Sequence, residues 1–230
     1  MRIAIIGWQD SGAGHVQEWF HSDKEKKVVC FISPDSSPLH AVKIPRSVSE
    51  FSYPENGLLK GLPLIVDPDW WKVISRFRVD AVIVVLEDAK QRLTAIENAK
   101  RHGIPILSAI HSSAVVCPGA KIGLGCVIFP NAVIGYRTEI DDGVLINTGS
   151  QIDHHCKLES GVTLAPGCVL AGNVWIGMRS YLFTSVTVIN RIRIGKDSRI
   201  GAGSLVLRNI EENTLNYGVP ARMIRYLEDY

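Results

Sequence analysis

The sequence predicts two unlike halves: an α/β N-terminal domain with a small Rossmann-like parallel sheet over residues 1–108, then an all-β parallel β-helix over residues 109–230 that ends in a short tail. Three observations predict this. Every sixth residue from Val116 to Val206 is aliphatic, sixteen in succession, and a fixed period sustained that far marks a repeat architecture. The position two earlier in each repeat is small or β-branched, as at Ala120, Cys126, Thr138, Ser150, Val162 and Ser180. Upstream of Gly103 short apolar runs alternate instead with amphipathic stretches, the pattern of strands and helices in turn.

The repeat dictates its own geometry. Two inward-facing residues two positions apart require an extended strand, because side chains of a strand alternate between its faces. A period of six excludes an amphipathic helix, whose period is 3.6. Three positions after the aliphatic residue stands Gly119, Gly125, Asn131, Gly143, Gly149, Gly161, Gly167 or Gly203, residues suited to a left-handed bend. Three strands and three bends make a prism with 18 residues per coil, so each residue lies over its i−18 partner at the strand spacing of about 4.8 Å. The sixteen hexads give roughly five coils. No insertion interrupts the repeat, so no long loop leaves the prism. Cys126, Cys156 and Cys168 occupy the small inward slots and read as core thiols.

In the N-terminal half, strands are expected at 2–6, 27–32, 62–66, 81–86 and 104–107, with helices at 16–21, 68–77 and 89–102. The Ser-, Pro- and charge-rich stretch 33–61 reads as a long loop. A glycine-rich loop, Gly7 to Gly14, follows the first strand. It is either a tight turn that needs glycine or a cradle presenting backbone N–H groups to a phosphate. It does not match G-x-G-x-x-G, and no acidic residue stands cleanly about 20 positions on, which argues against a nicotinamide dehydrogenase.

Composition narrows the partners. The 25 basic and 23 acidic residues are spread along the chain, so there is no basic stripe and nucleic acid is not an expected partner. No run approaches the roughly 20 apolar residues that cross a bilayer, and Ile3–Ile6 is too short for a signal-peptide core; no membrane partner is expected. Five cysteines without a CxxC pair read as free thiols in a reducing cytoplasm. No metal is expected.

Two stretches carry a specific resemblance: Ile146-Asn147-Thr148-Gly149-Ser150-Gln151-Ile152-Asp153-His154-His155-Cys156, and Tyr217-Gly218-Val219-Pro220-Ala221-Arg222. Following an α/β domain and lying on a loop-free prism, they resemble the bacterial hexapeptide-repeat family of sialic acid O-acetyltransferases and nucleotide-4-amino-sugar N-acetyltransferases. The resemblance implies a left-handed prism, although the general crossover rule predicts the opposite hand. It also implies acetyl-CoA as cosubstrate and a homotrimer that holds the coenzyme between neighbours. His154 matches the family's catalytic base. His155 stands where the family commonly has an orienting Glu or Asp. By the same match Gly172 lines the acetyl group, and Thr163, Thr184 and Ala202 line the pantetheine arm, with Thr163 replacing a family histidine. Gly12, Ala13, Gly14 and His15 match the region beside the nucleotide-sugar, Asp35 is what remains of the family's acidic pair, and Asn147 belongs to the signature around the base.

The chemistry asks little of the protein. A thioester is already activated, so the site must position an acceptor and remove one proton, and imidazole titrates in the right range. The 18-residue register places Tyr136 on one side of His154 and Gly172 on the other, with Asn190 beyond. The expected activity is acetyl transfer to the amino group of a sugar, nucleotide-linked, in the cytoplasm. The alternatives are O-acetylation of a sialic-acid-like or other sugar hydroxyl, and a non-catalytic β-helix scaffold.

Overall fold

The computed structural model describes residues 1–21, 23–34 and 56–227. Asp35 and most of the expected 33–61 loop lie outside the described residues. The chain separates into two compact units, Met1–Leu107 and Ser108–Tyr230.

The first unit is built on a sheet of five strands among the described residues: β1 (Arg2–Ile6), β2 (Lys27–Ser33), β3 (Leu58–Leu59), β4 (Leu62–Val66) and β5 (Ala81–Val84), in the order β3-β4-β2-β1-β5. All pairings are parallel except the hairpin of β3 with β4, and β3 lies inside the stretch expected to be loop. Helices α1 (His15–Glu18), α2 (Val73–Arg76) and α3 (Ala89–Arg101) fill the crossovers. Two expected elements are weaker than anticipated. The 104–107 strand reduces to a single bridge between Val82 and Ile106, because Pro105 has no N–H to extend the ladder. The 68–77 helix divides into a 3₁₀ turn, Trp70–Lys72, followed by α2.

The order reverses between β1 and β5, the place where open α/β sheets leave a crevice beyond their strand ends. Gly7 closes that point. Its φ is +141°, and a Cβ there would lie 2.2 Å from the Val85 carbonyl oxygen, so the turn reading of this glycine holds on steric grounds alone. The N–H of Gly7 donates to Ile32, and those of Gly12 and Gly14 both donate to the Gln9 carbonyl. Three loop N–H groups expected to point at a ligand are thus bonded within the chain.

The second unit is a parallel β-helix of two-residue strands. Face one stacks 115–116, 133–134, 151–152, 169–170, 187–188 and 205–206; face two stacks 121–122, 139–140, 157–158, 175–176 and 193–194. Face three begins with Ala109–Ile110, one hexad earlier than the repeat suggested, and continues through 199–200 to Thr214–Gly218 and Ala221–Tyr226. The six strands of face one make about six coils rather than five. Pairings between coils as far as Val206 join residues 18 apart, as in Val133 with Gln151 and Ile134 with Ile152, and the closing ones, such as Arg199 with Leu215, join residues 16 apart. The aliphatic residues from Ile128 to Val206 form one continuous buried core.

Every sixth residue from Gly119 to Gly203 has positive φ. Glycine and asparagine were the expected occupants, yet Arg137, His155, Arg179, Ser185, Arg191 and Asp197 also adopt it. Left-handed backbone costs an ordinary residue about 1–2 kcal/mol. Ladders on both sides of each corner offset that cost, for example the His155 N–H donated to Tyr136 and the Asn173 N–H donated to the His154 carbonyl, both at 2.9 Å.

The small inward slot has a further rule. Three hydroxyls there donate to the carbonyl fifteen residues on: Thr138 to Asp153 at 2.8 Å, Ser150 to Ala165 at 3.0 Å and Ser180 to Gly195 at 2.7 Å. Cys126, Cys156 and Cys168 do the same with thiols, to Asp141, Ala171 and Phe183 at 3.1–3.2 Å. At these six positions a buried carbonyl gains a donor, whether hydroxyl or thiol fills the slot; Ser198 and Ser204 in the last coil donate instead to Glu211 and Gly201. Burial pushes the thiols of Cys30, Cys126, Cys156 and Cys168 up to about 11, so at neutral pH none supplies thiolate, the reactive form. Cys117 alone among the five is only half-buried. A thiol-alkylating reagent at pH 8 is therefore expected to label Cys117 and no other cysteine in the native protein, but all five after denaturation. Mass spectrometry showing rapid native labelling at two or more sites would contradict this core.

Candidate active site

The signature stretch folds into the corner between faces one and two. Ile152 points inward and is 1% exposed, Asp153 and His154 lead into the bend, His155 turns it at φ +56°, and Cys156 returns to the core. The backbone is fixed from both neighbouring coils, since Asp153 N–H donates to Leu170 and Cys156 N–H to the Thr138 hydroxyl. The His154 side chain stands on the outside of this rigid corner, 48% exposed.

The two imidazoles meet through Nδ1 to Nδ1 at 3.0 Å, with ring planes 80° apart. A hydrogen bond between two such nitrogens needs one proton between them. If His154 accepts a proton at Nε2, that nitrogen must be bare, so its Nδ1 carries the hydrogen and donates it to Nδ1 of His155. Asp153 does not take this role. Its Oδ1 accepts the His154 backbone N–H at 2.7 Å, and its Oδ2 lies 3.9 Å from His154 Nε2. The partner of Nδ1 is thus an imidazole rather than a carboxylate. A neutral hydrogen bond contributes about 1 kcal/mol net, and fixing an exposed side chain costs about as much.

Gly172, one coil on, lies against the other edge of the base. A Cβ at residue 172 would sit 2.5 Å from His154 Cε1 and 2.6 Å from Nε2. With no side chain at residue 172, the imidazole occupies the place a Cβ would fill. On the opposite side, Tyr136 meets His155 edge to face at 5.7 Å, and the Arg137 guanidinium lies 5.0 Å from the Tyr136 ring centre. Sequence reading placed Tyr136 beside His154 but gave it no role; the 18-residue register was the signal that could have.

The remaining candidates lie elsewhere. Thr184 and Ala202 are exposed on the corner between faces three and one, and Asn147, whose Oδ1 accepts the Thr148 N–H at 2.7 Å, begins that same corner. Face one separates this edge from the His154–Gly172 edge. Thr163 faces outward on face three and is 4% exposed. In the first unit, Ala13 and Gly14 are buried, Gly12 is half-buried, and His15 is exposed with its ring 5.7 Å from Trp19. Among the described residues no group of three or more His, Cys, Asp or Glu is placed to hold a metal, and no helix is long and apolar enough to cross a membrane.

No protein-family model matches the chain. Over nearly its whole length the fold matches a variant of GDP-perosamine N-acetyltransferase from Caulobacter crescentus, in complex with CoA and GDP-perosamine. That match is 28% identical with a TM-score of 0.83, and covers 98% of this chain and 97% of that one. The acetyltransferase domain of PglB from Neisseria gonorrhoeae, in complex with acetyl coenzyme A, is 26% identical with a TM-score of 0.81, covering 97% and 98%. A stretch of 57 residues is 42% identical to galactoside O-acetyltransferase of Lactococcus lactis, 25% of this chain and 25% of that protein. The chain thus spans only about a quarter of the length of that curated relative. The fold is that of the β-helix acetyltransferases. Within that class the chain is similar along nearly its whole length to GDP-perosamine N-acetyltransferase.

Proposed function

We propose that this protein is a cytoplasmic, acetyl-CoA-dependent acetyltransferase that acetylates the amino group of a nucleotide-linked sugar. One observation carries the reading: an exposed imidazole with Nδ1 engaged and its Cε1–Nε2 edge set against the bare backbone of Gly172. Its setting is a chain alike along its length to an N-acetyltransferase complexed with CoA and a GDP-linked amino sugar. In the reaction, His154 Nε2 takes the proton that the amine nitrogen sheds as its lone pair bonds to the thioester carbonyl carbon. The same imidazolium returns that proton to the sulfur when the C–S bond breaks, and the Nδ1–H···Nδ1 bond to His155 holds the ring throughout. Free thiols suit a reducing compartment.

A sugar hydroxyl as acceptor is the second reading, favoured by the 57-residue likeness to a galactoside O-acetyltransferase. A panel of nucleotide-linked amino sugars, free amino sugars and hydroxy sugars, scored by acetyl-CoA-dependent thiol release, separates the two. Transfer only to hydroxyls would reverse the choice, and no transfer to any acceptor would leave the scaffold reading.

The same reading includes a homotrimer. His154 and Gly172 occupy one prism edge and Thr184 and Ala202 another, so a site that used all four would take an edge from each of two copies. The outward column of the intervening face, Val115, Val133, Gln151, Val169, Thr187 and Leu205, carries no charge, and Val115 and Val169 are 53% and 38% exposed. By contrast, face two carries the ion pairs of Lys121 with Glu139 and Lys157 with Asp141. An uncharged, partly apolar face is a surface that association covers. Light scattering is expected to give three times the 25.3 kDa chain mass; a monomer at micromolar concentration would refute it. Val169→Glu is expected to yield folded, inactive monomers.

A further inference from the structure

The geometry points to Tyr136 as a positioning residue that holds His155, and through it the base, in a site with no carboxylate on Nδ1. This inference rests on the reading of His154 as the base. Three features lead to it. The Nδ1 of His154 faces another imidazole at 3.0 Å. A neutral imidazole on an exposed corner does not fix its own orientation: it can rotate away or turn its other nitrogen inward. Asp153 has its Oδ1 bonded to backbone, and Arg137, one coil away in the His155 column, is a cation. Neither accepts from Nδ1 of His154, whose partner is His155.

The ring that meets His155 is Tyr136, 5.7 Å away with planes 79° apart, within the range of a favourable edge-to-face contact. Tyr136 is held in its turn. Arg137 lies over its ring at 5.0 Å, a cation–π distance. Beneath both is Gly119, where a Cβ would come within 3.2 Å of Arg137 Cγ and 3.9 Å of Tyr136 Cε2. Gly119, Arg137 and His155 occupy the same corner position in successive coils, so the parallel ladder sets the stack. An aromatic wall limits the His155 ring to the rotation that keeps its Nδ1 toward His154, the part a carboxylate plays by charge in other histidine bases.

The tautomer of His154 reports this directly, with or without turnover. Nitrogen-15 NMR of the imidazoles in the native protein is expected to show His154 protonated at Nδ1 and bare at Nε2. Tyr136→Leu is expected to abolish that preference and lower kcat about tenfold, with KM for acetyl-CoA and acceptor unchanged. Tyr136→Phe keeps the ring and is expected to restore both. In a His155→Glu background the carboxylate orients the base itself, and Tyr136→Leu should then have no further effect, a coupling that a merely structural tyrosine would not show. The proposal is overturned if Tyr136→Leu leaves the tautomer unchanged, if it raises acceptor KM with kcat intact, or if the phenylalanine variant fails like the leucine one. A native protein that acetylates no sugar would refute the proposed function, and the tautomer measurement would still decide the role of Tyr136.

Discussion

His154→Ala is expected to lower kcat by about 10²–10⁴-fold, the range for removal of a general base, with little change in the KM for acetyl-CoA. The structure gives the substitution little else to disturb. The side chain is 48% exposed, its polar neighbours are His155 and Asp153, and the backbone bonds of the corner do not involve the ring. Such a surface truncation moves stability by about 0.5 kcal/mol or less, so thermal midpoint and oligomeric mass should match the parent. Steady-state kinetics on the best acceptor from the panel decides the matter. A loss smaller than about tenfold would show that His154 is not the base. His155, which shares the same hydrogen bond, would become the next candidate and His155→Ala the next variant. Loss of kcat together with loss of the folded trimer would instead make the corner structural.

The β-helix was legible because its period is covalent in the sequence: one aliphatic residue every six positions can satisfy only one kind of strand stacking. From that register alone Gly172 and Tyr136 could be set beside His154; Gly172 lies against its ring, whereas the Tyr136 ring meets His155. What the register cannot convey is the direction of a side chain outside the prism. Nothing in Asp153-His154-His155 says that the carboxylate turns to a backbone N–H while the second histidine turns to Nδ1; rotamers at an exposed bend decide that. The corner rule was also read too narrowly. Arginine and histidine at left-handed positions are locally unfavourable, and the ladders on either side hold them there regardless. In the first unit the strands of the core were readable as apolar runs and Ala89–Arg101 as a helix, whereas the two short helices were read too long. Val73–Arg76 and His15–Glu18 are single turns, too short for a period of 3.6 to declare itself. The glycine loop illustrates a different limit: glycine permits both a phosphate cradle and a close strand crossing, and the 2.2 Å clash at Gly7 shows the second demand at work.

Gly172→Ala is expected to cost about 10²-fold in kcat, nearly as much as some losses of the base, although it removes no functional group. The added methyl would lie 2.5 Å from His154 Cε1 and 2.6 Å from Nε2, whereas carbon atoms in contact rest about 3.5–4.0 Å apart. The ring must therefore retreat by about 1 Å, and a displacement of that size at a reacting group costs about 10²-fold in rate. Retreat also moves Nδ1 relative to His155, so the hydrogen bond that sets the tautomer is lost with the position. The fold has no reason to change. Gly172 is not among the residues at positive φ, so alanine adopts its backbone without strain, and its carbonyl keeps the Arg191 N–H. Kinetics on the single variants and on the double variant with His154→Ala tests the cause. If the methyl acts through the imidazole, the double variant should be no slower than His154→Ala alone, because residues that act as a unit are not additive. A further tenfold loss in the double variant would mean that residue 172 touches the thioester directly. A single variant within about threefold of the parent would show that the imidazole can rotate aside and still work, and that its present position is not the one in which it accepts the proton.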